Sequence, residues 1–474
     1  MGITGLWSLL SSIKTNVCLT ECEGKILAVD LSAWIVQLQT TSSSAAVSER
    51  YLCHRGIFFK TLKLLSLGIS LIFVMDGPVP PQMKRNRKTR DFFYQSSLQY
   101  KELLLAMGLP VIESVGEAEK LCADLNRKKI VDGIITDDGD VFVYGGEIVY
   151  KGVFSKQKER FAEKYQMRDI TSSLKLTHRD LVVYALMNHG DLTDGVPNVG
   201  EKTFIKLMEE FKNNQVEDAL ERIQLWKNSQ ELTNLETKKL ELLNMKTKHC
   251  TRCQHEGSKQ LHAKQGCLCC QTAETCVEVN KKADHNSYPL CSCQQHFLER
   301  HIFPYTTEMK IRSSALQSDP YFPNQEIIKE YLENENSFDD PKTQVSWPNF
   351  PKLFDILGTI IKLTPSEIMN HILPAYIKLA LCGIVPMHYA VPLGILSSCT
   401  ESTEKCFQVK WKISDLDEYI AVEDKCYVLS IPKHMFMQRY PDMAKTFTNP
   451  NELKRKHDPP ANQRKISEFF KAKK

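Results

Sequence analysis

The chain has 474 residues, 42% of them hydrophobic, which is too long for one ordinary domain and ample for a large core, so two to four globular units are expected. Lys and Arg number 61 against 57 Asp and Glu, and the net charge of +4 gives no reason by itself to invoke nucleic acid. No apolar run approaches the roughly 18 residues of a membrane span, Met1 to Leu10 lacks a cationic leader, and Leu6 stands where a myristoylation signal needs Ser or Thr, so the expectation is an intracellular protein with no membrane partner.

The first 155 residues alternate short β-rich runs (25–32, 69–77, 109–114 and 131–136) with helical patterns. That alternation predicts an α/β fold, a doubly wound and mostly parallel sheet covered on both faces. Residues 177–211 read as two helices around a Gly/Pro/Asn-rich turn. A polar Cys-rich segment covers 246–301, residues 302–385 read as a helical segment with its clearest pattern at 325–381, and 386–450 form a small β-rich module with strict alternation at 406–413. The last 24 residues, 451–474, hold adjacent prolines, many lysines and few apolar groups, and read as a disordered basic tail.

Several apolar runs end in an acid: ILAVD at Asp30, LIFVMD at Asp76, and GIITDDGD at Asp138 and Asp140. A fourth contribution, GEAE, follows LPVIES and supplies Glu117 and Glu119. In doubly wound sheets the ligand site lies beyond the carboxyl ends of the strands, where these acids converge. Any one of them could merely cap the next helix. Four acid-terminated segments in one sheet cannot all ionise without compensation, which raises their pKa values or demands cations, and divalent metal is the economical answer. Positions i and i+2 diverge within a helix, so Glu117 belongs at the strand-to-helix turn, where Gly116 permits a bend. An all-oxygen set suits two Mg²⁺ ions, with Mn²⁺ able to substitute, and such a pair can hold a scissile phosphate.

At these residues the sequence resembles the XPG/flap-endonuclease family, and more closely its GEN branch of Holliday-junction resolvases. MGITGLWSLL is similar to the family's N-terminal signature, and VDLSAW, FVMDG, GEAEKLCADL and TDDGDVFVYG match its catalytic blocks in order. The likeness is strong over residues 1–210 and continues through the cysteine pairs, WPNF and FQVKWKISDLDEYIAVED, the last similar to the GEN chromodomain. The resemblance implies an XPG N-terminal nuclease region at 1–95, an internal region at 96–212 with a helix-two-turn-helix at about 177–212, and a chromodomain-like module at 386–450. It makes Asp30, Asp76, Glu117, Glu119, Asp138 and Asp140 the metal-binding acids. In HGDLTDGVPNVGEKT, Asp191 has the flap-endonuclease spacing to Gly200 and is the expected seventh acid, with Asp194 competing.

The likeness also implies DNA contacts. GVPNVGEKTFIKLM offers backbone N–H groups near a helix start, centred on Gly200, with Lys202 and Lys206 adding charge; Asn198 replaces a family glycine and tolerates a left-handed φ. KRNRKTR, carrying Lys84, Arg85, Arg87, Lys88 and Arg90, stands where the family places an arch over the active site, and its shortness favours branched over threaded DNA. Eight of the 16 cysteines fall between Cys250 and Cys293. Cys250-x2-Cys253 and Cys267-x2-Cys270 approximate a four-thiolate structural Zn²⁺ site, and Cys276, Cys291, Cys293 and His296 a second. In the tail, Gln463, Ile466, Phe469 and Phe470 resemble the motif that binds the sliding clamp PCNA, with three apolar side chains on one helical turn.

Together these readings imply a nuclear, Mg²⁺-dependent endonuclease of DNA repair and recombination that cuts Holliday junctions and 5′ flaps, monomeric in solution and dimeric on a junction. The competing readings are a flap endonuclease or 5′-exonuclease of replication and repair, and a non-catalytic junction-binding scaffold.

Overall fold

Four runs rich in Val, Ile, Leu and Phe form neighbouring parallel strands, as continuous apolar segments do when both faces of a sheet are covered. In the computed structural model the described residues are 2–41, 49–78, 87–154, 160–243, 248–253, 255–273, 276, 297–333, 344–401, 404–413 and 426–448. They divide into two compact units, Lys14–Arg168 with Asn334–Lys474, and Met1–Ile13 with Asp169–Glu333.

The first unit holds a seven-stranded sheet in the order β1-β7-β6-β5-β2-β3-β4. Its parallel centre comprises β2 (Ile26–Asp30), β3 (Ser70–Met75), β4 (Val111–Glu113), β5 (Gly133–Ile135) and β6 (Ile148–Lys151), while β1 (Thr15–Cys18) and β7 (Phe161–Gln166) add an antiparallel edge. Every residue of β3 is buried. Helices α1 (Leu31–Thr41), α2 (Glu49–Ser66), α3 (Arg87–Ala106), α4 (Ala118–Arg127) and the single turn α5 (Asp140–Val143) alternate with these strands.

Residues after 343 return to this sheet unit. Ser346 N–H donates to Gly108 O at 2.8 Å, the Trp347 indole donates to Pro386 O at 2.6 Å, and the Tyr376 hydroxyl donates to Met107 O. Thr364 caps helix Pro365–Leu381 with Glu367 in a reciprocal capping box. A three-stranded antiparallel sheet follows in the order β10-β9-β8: β8 (Ala390–Glu401), β9 (Glu404–Ile413) and β10 (Cys426–Pro432). The alternation of β9 buries Phe407, Val409, Trp411 and Ile413 on one face, against Phe436 of helix Lys433–Arg439.

The second unit is helical. α6 (His178–Met187) starts at a Thr177–Asp180 capping box and α7 (Glu201–Asn213) starts after Gly200. The N-terminal segment is fastened to this pair: Thr4 N–H donates to His189 O at 2.8 Å, and the Tyr184 hydroxyl donates to Thr4 O at 3.1 Å. In the same unit Glu308 is fully buried, accepting from Arg222 Nε at 2.7 Å and from the Trp226 indole at 2.8 Å. Truncating one partner of a buried pair strands the other charge, at about 3–5 kcal/mol. Arg222→Ala should therefore lower the unfolding free energy by roughly that amount, read as a lower urea midpoint, and Glu308→Gln in the same background should recover part of it; an unchanged midpoint for Arg222→Ala would contradict the pairing. Among the described residues no helix is long and apolar enough to cross a membrane.

Candidate active site

The acids at the strand ends are held by one another's elements. Asp30 ends β2 and is buried; its Oδ1 accepts from Ala33 N–H at 2.9 Å and its Oδ2 from the Thr136 hydroxyl, just past β5, at 2.9 Å. Asp76 follows β3, and its Oδ1 accepts from Ala118 N–H, the first residue of α4, at 2.9 Å. Asp30 therefore does cap the helix that follows it, as a lone acid after a strand suggests, while Asp76 caps α4, the helix that follows the neighbouring strand β4.

Glu117 sits at the N-cap of α4 with extended backbone (φ −84°, ψ 139°). This break from helical geometry lets Glu117 and Glu119 face the same way, and ligand oxygens of Asp76, Glu117 and Glu119 lie within 4.8 Å of one another. Asp138 accepts at Oδ1 from Asp140 N–H at 3.0 Å and donates its own N–H to Thr136 Oγ1 at 3.0 Å, so the second strand end is a tight loop around Thr136. The intervening Asp137 faces elsewhere, accepting from Gln37 Nε2 at 2.9 Å and Gly152 N–H at 2.7 Å. Thr136, Gln37 and Ala33 are supports that no motif announces; Thr136 alone carried a signal, as a hydroxyl directly after a buried strand.

The electrostatics show what this packing costs. Burial pushes the Asp30 carboxyl up to about 7, with the charges of Asp76 and Asp138 adding to it and the Ala33 and Thr136 hydrogen bonds offsetting part. Glu119 is pushed well above the usual carboxylate range by burial, then by Asp30, Asp76, Asp138 and Glu117. Its Oε2 is buried with no hydrogen-bond partner. Burial likewise pushes up the thiol of Cys122, and the neighbouring charges of Asp30, Glu119 and Asp76 push it further. An orphaned carboxylate oxygen in a field of like charge fits a set of oxygen donors for hard divalent cations.

Asp191 and Asp194 both lie on the loop between α6 and α7, in the helical unit, and both are exposed; Asp194 is 3.8 Å from His189 Nδ1. On the same loop Asn198 has φ +62°, the left-handed conformation its identity allows, and Gly200 caps α7. Lys202 and Lys206 are exposed one turn apart on α7. Lys84 and Arg85 and the side chains of Arg87, Lys88 and Arg90 lie outside the described residues; the backbone of Arg87, Lys88 and Arg90 belongs to α3. Also outside are Cys291, Cys293, His296 and the tail residues Gln463, Ile466, Phe469 and Phe470.

In the cysteine segment, two sets of donors among the described residues lie close enough to hold an ion: Cys250, Cys253, His262 and Cys276, and Cys253, His255, Cys267 and Cys270. Chain spacing pairs thiols along the sequence, whereas the fold inserts two imidazoles between the pairs and brings Cys276 to Cys250.

Residues 1–93 match the XPG N-terminal domain and residues 108–191 the XPG I-region. Flap endonuclease GEN-like 1 of Arabidopsis thaliana is 30% identical over 422 residues, covering 79% of this chain and 67% of the relative. The chain belongs to the XPG nuclease family, in its GEN branch. Flap endonuclease GEN homolog 1 of Mus musculus is 27% identical over 94% of this chain, as is its Homo sapiens counterpart at 28%, and the chain spans about half the length of each. The fold is shared with human GEN1 solved with Holliday junction DNA (TM-score 0.65, 20% identity, 96% of this chain and 100% of that one). It is shared too with the catalytic core of Rad2 solved with a DNA substrate (TM-score 0.55, 23% identity, 79% and 100%).

Proposed function

We propose that this XPG-family chain is a divalent-metal-dependent, structure-selective endonuclease that hydrolyses phosphodiesters in branched DNA, at four-way junctions and 5′ flaps. The observation that carries the reading is the convergence of acids past the carboxyl ends of β2, β3, β4 and β5, with Asp30, Glu117, Asp138 and Asp140 buried and one Glu119 oxygen left unpaired. Asp30, Asp76, Glu117, Glu119, Asp138 and Asp140 would hold two Mg²⁺ ions, Mn²⁺ substituting, which when bound supply Lewis-acid polarisation of the phosphate and a water acidic enough to attack. The chain's part is to preset the donors: Ala33 and Thr136 fix both oxygens of Asp30, and Ala118 fixes Asp76. Asp191 is the proposed seventh acid, by family spacing.

The α6–α7 loop supplies the duplex grip on this reading, with backbone N–H groups near Gly200 and the exposed Lys202 and Lys206 positioned for phosphates. The basic run from Lys84 to Arg90 would neutralise phosphates near the cut. Paired incision of a four-way junction needs two active sites, hence two copies of a chain that is monomeric in solution. A nuclear setting follows from the substrate, and the tail residues Gln463, Ile466, Phe469 and Phe470 would tether the enzyme to the sliding clamp PCNA. A scaffold without activity has little reason to keep so many buried like charges together.

Metal addition tests the reading. A ligand present at a hundredfold excess over its Kd stabilises by about 2.7 kcal/mol. Mg²⁺ should thus raise the melting temperature of the chelator-treated protein by several degrees and start junction cleavage in the same concentration range, with both effects weakened in Glu119→Gln. Cleavage that proceeds undiminished in excess chelator would contradict it.

A further inference from the structure

The segment 248–276 has an unusual interior. Among its described residues the buried ones are Cys250, Cys253, His255, His262, Gly266, Cys267 and Cys276, so every buried side chain is a thiol or an imidazole. The apolar side chains that would normally form a core face outward instead: Leu268 is 98% exposed and Leu261 47%. A folded stretch of this length with no hydrocarbon core needs another source of stability, and metal coordination is the usual one.

The spacing of the donor atoms specifies the coordination. Tetrahedral zinc, with Zn–S near 2.3 Å and Zn–N near 2.0 Å, places neighbouring sulfurs roughly 3.8 Å apart and sulfur and nitrogen roughly 3.5 Å apart. In the first group the Cys250 and Cys276 sulfurs are 3.7 Å apart and Cys253 Sγ is 3.3 Å from His262 Nδ1. In the second, Cys253 and Cys267 are 4.0 Å apart, and His255 Nδ1 lies 3.4 Å from Cys267 Sγ and 3.2 Å from Cys270 Sγ. These distances match the edges of such tetrahedra and are far from the 2.05 Å of a disulfide.

The backbone is arranged for the same purpose. Each Cys-x2-Cys turn is closed behind its first cysteine, by Cys250 N–H to His255 O at 2.9 Å and by Cys267 N–H to Thr272 O at 2.9 Å. Cys270 N–H points at Cys267 Sγ, 3.4 Å away, as an amide does toward a thiolate. His262 donates from Nε2 to Glu256 O at 2.7 Å, which leaves the Nδ1 lone pair directed at Cys253 and fixes the ring in the manner of a metal-bound imidazole. Gly257 (φ +117°) passes over that ring so closely that a Cβ would stand 2.6 Å from Nε2.

We infer that this segment is a binuclear zinc module in which Cys253 bridges two ions, one completed by Cys250, His262 and Cys276 and the other by His255, Cys267 and Cys270. Loading two Zn²⁺ displaces the protons of five thiols and leaves a net charge of −1 on the cluster, with Lys248, Arg252, Lys259 and Lys264 exposed around it. The module is distinct from the acid cluster in donor chemistry, soft sulfur and nitrogen against hard oxygen, so the two sites take different metals.

The test is a metal count on the full chain, purified without chelator and dialysed against Mg²⁺, by native mass spectrometry and elemental analysis, followed by ¹¹³Cd substitution. Wild type should carry two zinc ions, Cys276→Ser and Cys270→Ser one each, and Cys253→Ser at most one. The ¹¹³Cd spectrum should show two resonances split by mutual coupling through the bridging sulfur. Asp30→Asn should retain both ions, which separates this inference from the nuclease assignment. One zinc or none in wild type, two retained in Cys253→Ser, or two uncoupled cadmium resonances would each overturn the shared-ligand module.

Discussion

Asp30→Asn should slow junction cleavage by roughly a thousandfold, about 4 kcal/mol at 1.36 kcal/mol per decade, while leaving the fold intact. Asparagine keeps an oxygen for Ala33 N–H, and its amide N–H can donate to the Thr136 oxygen once that hydroxyl turns, so what chiefly disappears is the charge at the centre of the acid cluster. Junction affinity measured in chelator should hold or tighten, because a repulsive charge toward phosphate is gone. Stability should move the opposite way from activity. The Asp30 carboxyl rises from 3.8 to about 7 on folding, so between those values the folded chain keeps a proton that the unfolded chain releases. Its contribution to stability in the metal-free protein is thus present at low pH and lost as pH rises through that window. Asp30→Asn should remove this loss, and its melting temperature should fall less than wild type's between pH 5 and pH 8. Single-turnover rates and thermal unfolding across pH check both halves; wild-type cleavage in the mutant would remove Asp30 from the site.

Gly77→Ala is the second large effect. A Cβ at this position would lie 2.1 Å from Ser114 O and 2.5 Å from Val115 O, both backbone atoms that cannot turn aside. Gly77 also donates its N–H to Gly116 O at 2.9 Å, so the turn after β3 and the turn that carries Glu117 are one structure. Relieving the clash must move one strand end from the other, and overpacking of this kind costs about 3 kcal/mol. A displacement near 1 Å costs a positioned site about 100-fold in rate. Gly116→Ala is the control, since nothing lies within 4 Å of its Cβ, and it should retain activity. Equal behaviour of the two variants in cleavage and unfolding assays would contradict the coupling.

Much of the site was legible in the sequence because parallel strands are written as unbroken apolar runs, and the strand-end crevice is where acids that follow such runs converge. The placement of Glu117 outside the helix followed from the geometry of i and i+2 alone, and the extended backbone at that residue agrees. Other features had no local signal. In TDDGD nothing distinguishes Asp137 from Asp138; the difference is made by Gln37 and Gly152, distant in the chain, which take Asp137 away. The antiparallel edge strand β1 is short and half exposed, so its pairing with β7 has no apolar run to announce it. The cysteine pairs suggested a thiolate site, but His255 and His262 entered only once the turns at Cys250 and Cys267 were folded, because spacing alone cannot say which thiols share an ion.

The measurement closest to the central claim is a strand-resolved map of cleavage products from one labelled four-way junction, one 5′ flap and one linear duplex of the same sequence, in Mg²⁺ and in chelator. The account predicts Mg²⁺-dependent, symmetrically paired nicks near the junction branch point, incision near the base of the flap, and an intact linear duplex. Equal cutting of the linear duplex, or no cutting of either branched substrate in Mg²⁺, would contradict it.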